Sequence, residues 1–398
     1  MKFGHAARGD WPLDPDVLYL NHGTVGVAPR RVMAAQQALR DEIERGPSQF
    51  LLRRLTPDVG VAGRGSAGRP LLRAAADGVA GLVGGRGDDL AFVDNVTTAV
   101  TAVLRAVPLV AGDEILVTDL AYGAVAIAAT HRAREAGASV RTVRMPDPPH
   151  TPEAVIEAIA TGLGPRTKLA IVDHITSETA LVLPVADIVA RCHAAGVPVL
   201  VDGAHAPGAI ALDIPSLGAD WYAANLHKWA WTPRSAGILW AAPERHADLH
   251  APVWSWGADT GFPVEFDWIG TRDPSAWLAA PVAIAFMREV GLESVLAWNH
   301  ALAWRAAGRL SERFGTAPPA PESMIGTMVT VALPAAAGRS PEDAARLRDA
   351  LLFEDRIEVP VLARRERLGL RVSAQVYLEE SDLERVADAV LARLPRKL

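Results

Sequence analysis

The chain has 398 residues, is 50% hydrophobic and 22% charged, and carries a formal net charge of −6. That length predicts two domains, the charge and the lack of a basic stripe argue against a nucleic-acid partner, and the lone cysteine, Cys192, excludes an internal disulfide or cysteine-rich metal site. No apolar run reaches membrane length, and "MKFGHAARGDWPLD" has no apolar signal core, so the expected location is the cytoplasm.

In chain order, "PDVGVAGRGSAGRPLL" (57–72) is the loosest segment, and a regular alternation follows. Residues 89–95 predict a strand and 97–107 a helix; 114–119 a strand and 124–137 a helix; 138–145 a strand and 151–162 a helix that opens Thr-Pro. Residues 167–175 predict a strand, 185–196 a helix ending in Gly, and 197–205 a strand. "ADWYAANLHK" (219–228) and "SAGILWAA" (235–242) predict two more strands. Short apolar, β-branched strands separated by helices mean βαβ units and a mostly parallel sheet covered on both faces. From Pro281 the texture changes to helical stretches (281–312), a loop at 316–323, strands at 325–334, 356–364 and 368–377, and a closing helix. That is the pattern of a smaller α+β domain.

Four lysines occur: Lys2, Lys168, Lys228 and Lys397. Where charge alone is wanted, this chain uses arginine. Lys228 lies in "NLHKWAWTPRSAG", among tryptophans and beside a histidine. A lysine can shed its proton and act as an amine nucleophile, which an arginine cannot. Ligands bind at the carboxyl ends of the strands in an open α/β sheet, and polar residues collect there. Asn95-Val96-Thr97-Thr98 opens a helix, where free N–H groups, the dipole and hydroxyls suit an anion, although a plain helix cap reads the same way. Thr176, Ser177 and Glu178 follow one strand, and Asp202 and His205 follow another. A carboxylate ending a buried strand needs a partner; a turn-capping Asp is the alternative. Pyridoxal phosphate accounts for the ordered set: its aldehyde needs a lysine, its pyridine nitrogen a carboxylate, and its phosphate a cluster of donors.

"VDGAHAPG" followed by "NLHKWAWTPRSAG" resembles the class V aminotransferase superfamily of pyridoxal 5'-phosphate enzymes of fold type I. "YLNHGTVGVAPRRV" and "FDWIGTRDPSAWLAAP" (266–281) are similar to its isopenicillin N epimerase-like branch, related to cysteine desulfurases and kynureninases. The resemblance covers nearly the whole chain. It implies an α/β fold: a large cofactor domain (31–280) with a mostly parallel, seven-stranded-type sheet between helices, a small α+β domain (281–398), and a segment 1–30 joining the small domain at the edge of the active site.

The resemblance also implies roles. Lys228 matches the lysine that forms the aldimine, and Asp202 the partner of the ring nitrogen. His205 and Ser177 match contacts to the phenolic oxygen, and Thr97, Thr98, Asn225 and His227 the phosphate cradle. Tyr122 falls where an aromatic ring stacks on the cofactor; simple core packing is its alternative. Gly270 and Thr271 match a loop reaching the neighbouring subunit's phosphate, which implies a homodimer with shared sites. Arg371 matches the arginine that grips the substrate carboxylate. Asn21, His22 and Gly23 match a loop bordering the substrate. The implied activity is isopenicillin N epimerase-like chemistry at the Cα of an amino-acid moiety, in secondary metabolism and antibiotic biosynthesis. Epimerisation needs a second acid/base facing Lys228, with Tyr122 and His22 as candidates. Elimination of a thiol from a cysteine S-conjugate and decarboxylative oxidative deamination are alternatives on the same scaffold, and a non-catalytic cofactor-binding protein is a remote one. Cys192 lies on a helix, so persulfide chemistry on a mobile cysteine is disfavoured.

Overall fold

The computed structural model describes residues 2–57, 66 and 68–394. The loose segment at 57–72 lies mostly outside the described residues. Seven strands form the main sheet: β1 (Leu90–Val93), β2 (Glu114–Thr118), β3 (Ser139–Val143), β4 (Thr167–Asp173), β5 (Val199–Asp202), β6 (Trp221–Asn225) and β7 (Gly237–Ala241). Their spatial order is β1-β7-β6-β5-β4-β2-β3. β7 runs antiparallel to both its neighbours, and the other pairings in the sheet are parallel. The expected mostly parallel sheet is therefore present. β2, β5 and β6 are buried along their whole length, as apolar strands covered on both faces must be. Each buried valine, leucine or isoleucine contributes roughly 1.5–3 kcal/mol over an exposed one. β3 is an edge strand and alone among the seven is largely exposed.

Local sequence sets the helix starts. The Asn95 side chain accepts from Thr98 N at the head of α1 (Val96–Ala106). α2 (Gly123–Ala136) ends at Gly137 in the left-handed conformation. Thr151 caps α3 (Pro152–Gly162), with Pro152 at the first turn where a missing N–H costs nothing. α4 (Val185–Ala194) buries Cys192 as a packing thiol.

Beyond the sheet, the predicted helical run at 281–312 is two helices, α5 (Ala280–Val290) and α6 (Leu292–Phe314). Gly291, at φ +98°, supplies the break. The strand expected at 356–364 is also two. Ile357–Glu358 pairs in parallel with Leu18–Tyr19, whereas Val361–Arg364 pairs with Arg367–Ser373 in a second sheet that also holds Met328–Ala332. Pro360, which lacks a backbone donor, lies between the two pieces. The Leu18–Tyr19 pairing ties the N-terminal segment to the C-terminal part of the chain. Among the described residues, no single helix is long and apolar enough to cross a membrane.

Candidate active site

The carboxyl ends of β4, β5 and β6 bring Asp173, Asp202 and Asn225 to one edge of the sheet, with Asp173 directly opposite Asp202 in register. Lys228 does not continue the β6 strand as expected. It lies on a helical turn, Leu226–Trp229, because the N–H groups of Leu226 and His227 both turn to the Ala236 carbonyl. Two glycines let other segments close on that turn. A side chain on Gly26 would collide with the His227 and Lys228 carbonyls, and one on Gly208 with the Trp229 carbonyl. Both glycines also hold φ near +70° to +80°, where a Cβ is strained.

Lys228 is buried, and Nζ lies 3.0 Å from His205 Nε2 and 6.0 Å from the centre of the Tyr122 ring. Burial pushes its pKa down to about 8, against the pull of Asp202 and with a smaller push from Arg371. About one amine in ten is then free at pH 7, against fewer than one in a thousand for an ordinary lysine. His205 is held well below its usual range, first by burial and then by the Lys228 charge. Asp202 accepts a hydrogen bond from Ala204 N at 2.9 Å. Burial raises its carboxyl, and among the described residues no cation lies within ion-pair distance of it. Asp173 is raised well above the carboxylate range by burial and by Asp202 beside it. Two buried carboxyls without a cation form a site prepared for a protonated partner.

The head of α1 supplies donors. The Asn225 carboxamide oxygen accepts from Val96 N at 3.0 Å and fixes the helix start, leaving Nδ2 of Asn225 as its free donor. Thr98 is engaged with Asn95, whereas Thr97 is exposed. An open recess of about 440 Å³ lies over this helix start, lined by Asn95, Thr97, Thr98, Thr101 and Pro252. His227 is anchored through Nδ1 to the Ala236 carbonyl. Burial pushes its pKa down to about 4, so it is neutral at physiological pH.

Arg371 is buried without a carboxylate partner among the described residues. Its Nη1 donates to the Ser177 carbonyl at 2.5 Å and its Nη2 to the Thr24 hydroxyl at 2.6 Å. Its Nε is buried without a partner. An unpaired buried guanidinium with donors to spare is what a carboxylate ligand requires. We expect Arg371→Lys to raise KM about tenfold or more, because a point charge replaces the planar fork, while cofactor absorbance is retained. Steady-state kinetics with a spectrum of the bound cofactor checks this.

His22 is fully buried, with Nδ1 2.9 Å from the Tyr377 hydroxyl and its ring 5.1 Å from Trp229. Burial pushes its pKa down to about 4. It packs against the lysine turn through Trp229, and its Nε2 is buried without a partner among the described residues. The Asn21 side chain is occupied by Glu358 and Thr24, and Gly23 N donates to the Ser373 hydroxyl at 3.0 Å. This loop therefore reaches the ligand region through Thr24 and Arg371. Tyr122, in contrast, is 49% exposed, which removes simple core packing as its reading. Gly270 and Thr271 are at the surface, beyond a segment with Trp254 87% exposed. Arg272 and Asp273 do not pair with each other: Arg272 lies over the Trp277 ring at 4.0 Å, and Asp273 pairs with Arg40. Asp173 was missed by the sequence reading; its "IVDH" at a strand end repeats the "LVDG" of Asp202 and could have flagged it.

A family model for class V aminotransferases matches residues 60–349. The chain belongs to the class V aminotransferase family. The isopenicillin N epimerase of Streptomyces clavuligerus is 34% identical, covering 96% of each chain. That of Amycolatopsis lactamdurans is 36% identical over 96% of this chain and 97% of its own. An L-cysteine desulfhydrase of Arabidopsis thaliana is 32% identical over 98% and 89%. In structure, the cysteine desulfurase of Thermococcus onnurineus superposes with a TM-score of 0.79 at 18% identity, covering 99% of this chain and 98% of that one. A form of the lyase C-DES with glycine linked to its pyridoxal phosphate superposes at 0.75 with 22% identity, covering 96% and 97%. These likenesses share the class V fold. As a class V enzyme the protein uses pyridoxal 5'-phosphate and acts on amino-acid-type substrates. The residues present fit the cofactor. Lys228 is a low-pKa amine, the Asp173–Asp202 pair has no cation within ion-pair distance among the described residues, and the α1 head offers donors in an open recess.

Proposed function

We propose that this enzyme inverts the configuration at Cα of an amino-acid moiety carried on a larger substrate, as an isopenicillin N epimerase-like enzyme in a secondary pathway. The observation that carries this reading is that Lys228 Nζ lies 6.0 Å from the centre of the half-exposed Tyr122 ring, which puts a second proton-bearing side chain beside the lysine. Two different proton-bearing side chains at one site suit a reaction that takes a proton from one face of Cα and returns it to the other. Bound pyridoxal phosphate supplies the sink for the electron pair left at Cα. Lys228 holds the cofactor and, once released, moves the Cα proton. Arg371 orients the substrate carboxylate. Asp202 would keep a proton on the ring nitrogen, Ser177 and His205 would contact the phenolic oxygen, and Thr97, Thr98, Asn225 and His227 would hold the phosphate. Tyr122 would stack on the cofactor and carry the second proton.

The same reading places the protein in the cytoplasm as a homodimer, with Gly270 and Thr271 reaching the partner's phosphate. The exposed segment carrying Trp254 and Trp256 supports that arrangement. It divides the chain into a joining segment, 1–30, a cofactor domain, 31–280, and a smaller domain, 281–398.

A second reading is elimination of a thiol from a cysteine S-conjugate, supported by the desulfhydrase relatives. That reaction needs Lys228 and a leaving thiolate but no second proton carrier. The test is incubation in deuterated water with amino acids, peptides ending in an amino-acid moiety, and cysteine S-conjugates. Deuterium at Cα with scrambled configuration and an intact side chain supports epimerisation. Release of thiol and pyruvate overturns it in favour of elimination. In the epimerase, Tyr122→Phe is expected to slow inversion about 100-fold.

A further inference from the structure

Trp229 follows the lysine directly and is buried, and its indole nitrogen lies 3.3 Å from His205 Nδ1. An indole N–H can only donate, so His205 Nδ1 is the acceptor and carries no proton. The remaining ring proton of neutral His205 is then on Nε2. That nitrogen lies 3.0 Å from Lys228 Nζ. An N–H at that position donates to a lone pair, and only a free amine has one; an ammonium is a donor alone. We propose that Trp229 is a positioning residue that locks His205 in the Nε2–H tautomer and thereby favours Lys228 as the free amine that captures the cofactor aldehyde. The proposal rests on the reading of Lys228 as the cofactor lysine.

The surroundings agree. Arg371 and His227 also disfavour a charge on His205, and burial keeps the imidazole neutral. The groups facing Lys228 are Asp202 and Asp173, which favour its ammonium form, and Arg371, which opposes it. Tyr122 lies beyond at ring-face distance. With the carboxylates pulling toward the charged form, a fixed donor on the amine works in the other direction. Without the indole, His205 could move its proton to Nδ1 and turn an Nε2 lone pair toward an ammonium.

The test compares cofactor-free wild type with Trp229→Phe, which keeps an aromatic ring but removes the donor. Covalent capture of pyridoxal phosphate is followed by absorbance across pH 6 to 10, with Lys228→Ala as the blank. The midpoint of the capture profile is expected to rise by about one pH unit in Trp229→Phe, which is about tenfold slower capture below the midpoint. Coincident profiles from a folded variant overturn the proposal. Capture that persists in Lys228→Ala overturns the reading of Lys228 itself, so the two failures are distinct. Should Trp229→Phe fail to fold, the tautomer of His205 is read directly in the wild type from its ring ¹⁵N shifts, assigned with His205→Gln. A protonated Nε2 supports the proposal, and a protonated Nδ1 overturns it.

Discussion

Lys228→Ala is expected to lower turnover by about 10⁴-fold or more, because in the proposed mechanism one side chain both holds the cofactor and moves the Cα proton. Among the described residues no other lysine is buried at the site: Lys2 and Lys168 are exposed. The same variant, treated with borohydride, should retain no covalent pyridoxyl label, whereas wild type should carry one per chain at Lys228. A label that persists after the substitution would refute the assignment. The folded chain should meanwhile gain stability when the amine is removed. Burial lowers the Lys228 pKa from 10.5 to about 8. The folded state therefore binds fewer protons than the unfolded chain between those values, and stability rises with pH across that window. Below pH 8 the full cost of the buried ammonium is present, on the order of 3 kcal/mol. Lys228→Met, of similar length and uncharged, should raise the urea midpoint of the cofactor-free protein at pH 7 and lose that advantage by pH 10.5. An active site that costs stability is the usual exchange between function and fold.

Arg73→Met is expected to destabilise the protein by about 3–5 kcal/mol. Arg73, in the first turn of the helix Leu71–Val83, is buried and donates to the carbonyls of Gly87 and Leu90 at 3.1 and 2.7 Å. Its other arm meets the fully buried carboxylate of Asp267 at 2.6 Å. One guanidinium thus fastens that helix, the start of β1 and the short helix Val264–Asp267, which leads into Gly270 and Thr271. Removing it leaves Asp267 as an uncompensated buried charge, with burial already raising its carboxyl. Urea denaturation of the cofactor-free protein gives the measurement. Arg73→Met with Asp267→Leu should recover much of the loss, because the cost comes from the stranded charge and not from the absent attraction. If the double variant is no more stable than the single, the three-way fastening through Gly87 and Leu90 carries the stability instead.

Seven strands were legible because each is a short run rich in apolar residues, mostly β-branched or aromatic, bounded by turns, and their boundaries moved by a few residues at most. The chemical set was legible for the same reason: Asp202 and Asn225 end such runs, so strand position alone put them at the ligand edge. The helical turn carrying Lys228 was not legible, since it depends on the Ala236 carbonyl eleven positions beyond Asn225 accepting two N–H groups. His22 looked like a substrate-facing residue in "YLNHGT". Its burial follows from Tyr377 and Trp229, more than 200 residues away, closing on it.

By itself, the sequence determined the layered sheet, the choice of a lysine where nucleophilic chemistry is wanted, and the ordered residues that suit pyridoxal phosphate. These are properties of periodicity and residue type, which act locally along the chain. Only the tertiary structure decided which groups are charged and which are acceptors. Asp173 meets Asp202 by strand register, Arg371 is left unpaired by the segments around it, and Trp229 points its indole N–H at His205. Protonation depends on burial and on neighbours distant in sequence, and both exist only after the chain has folded.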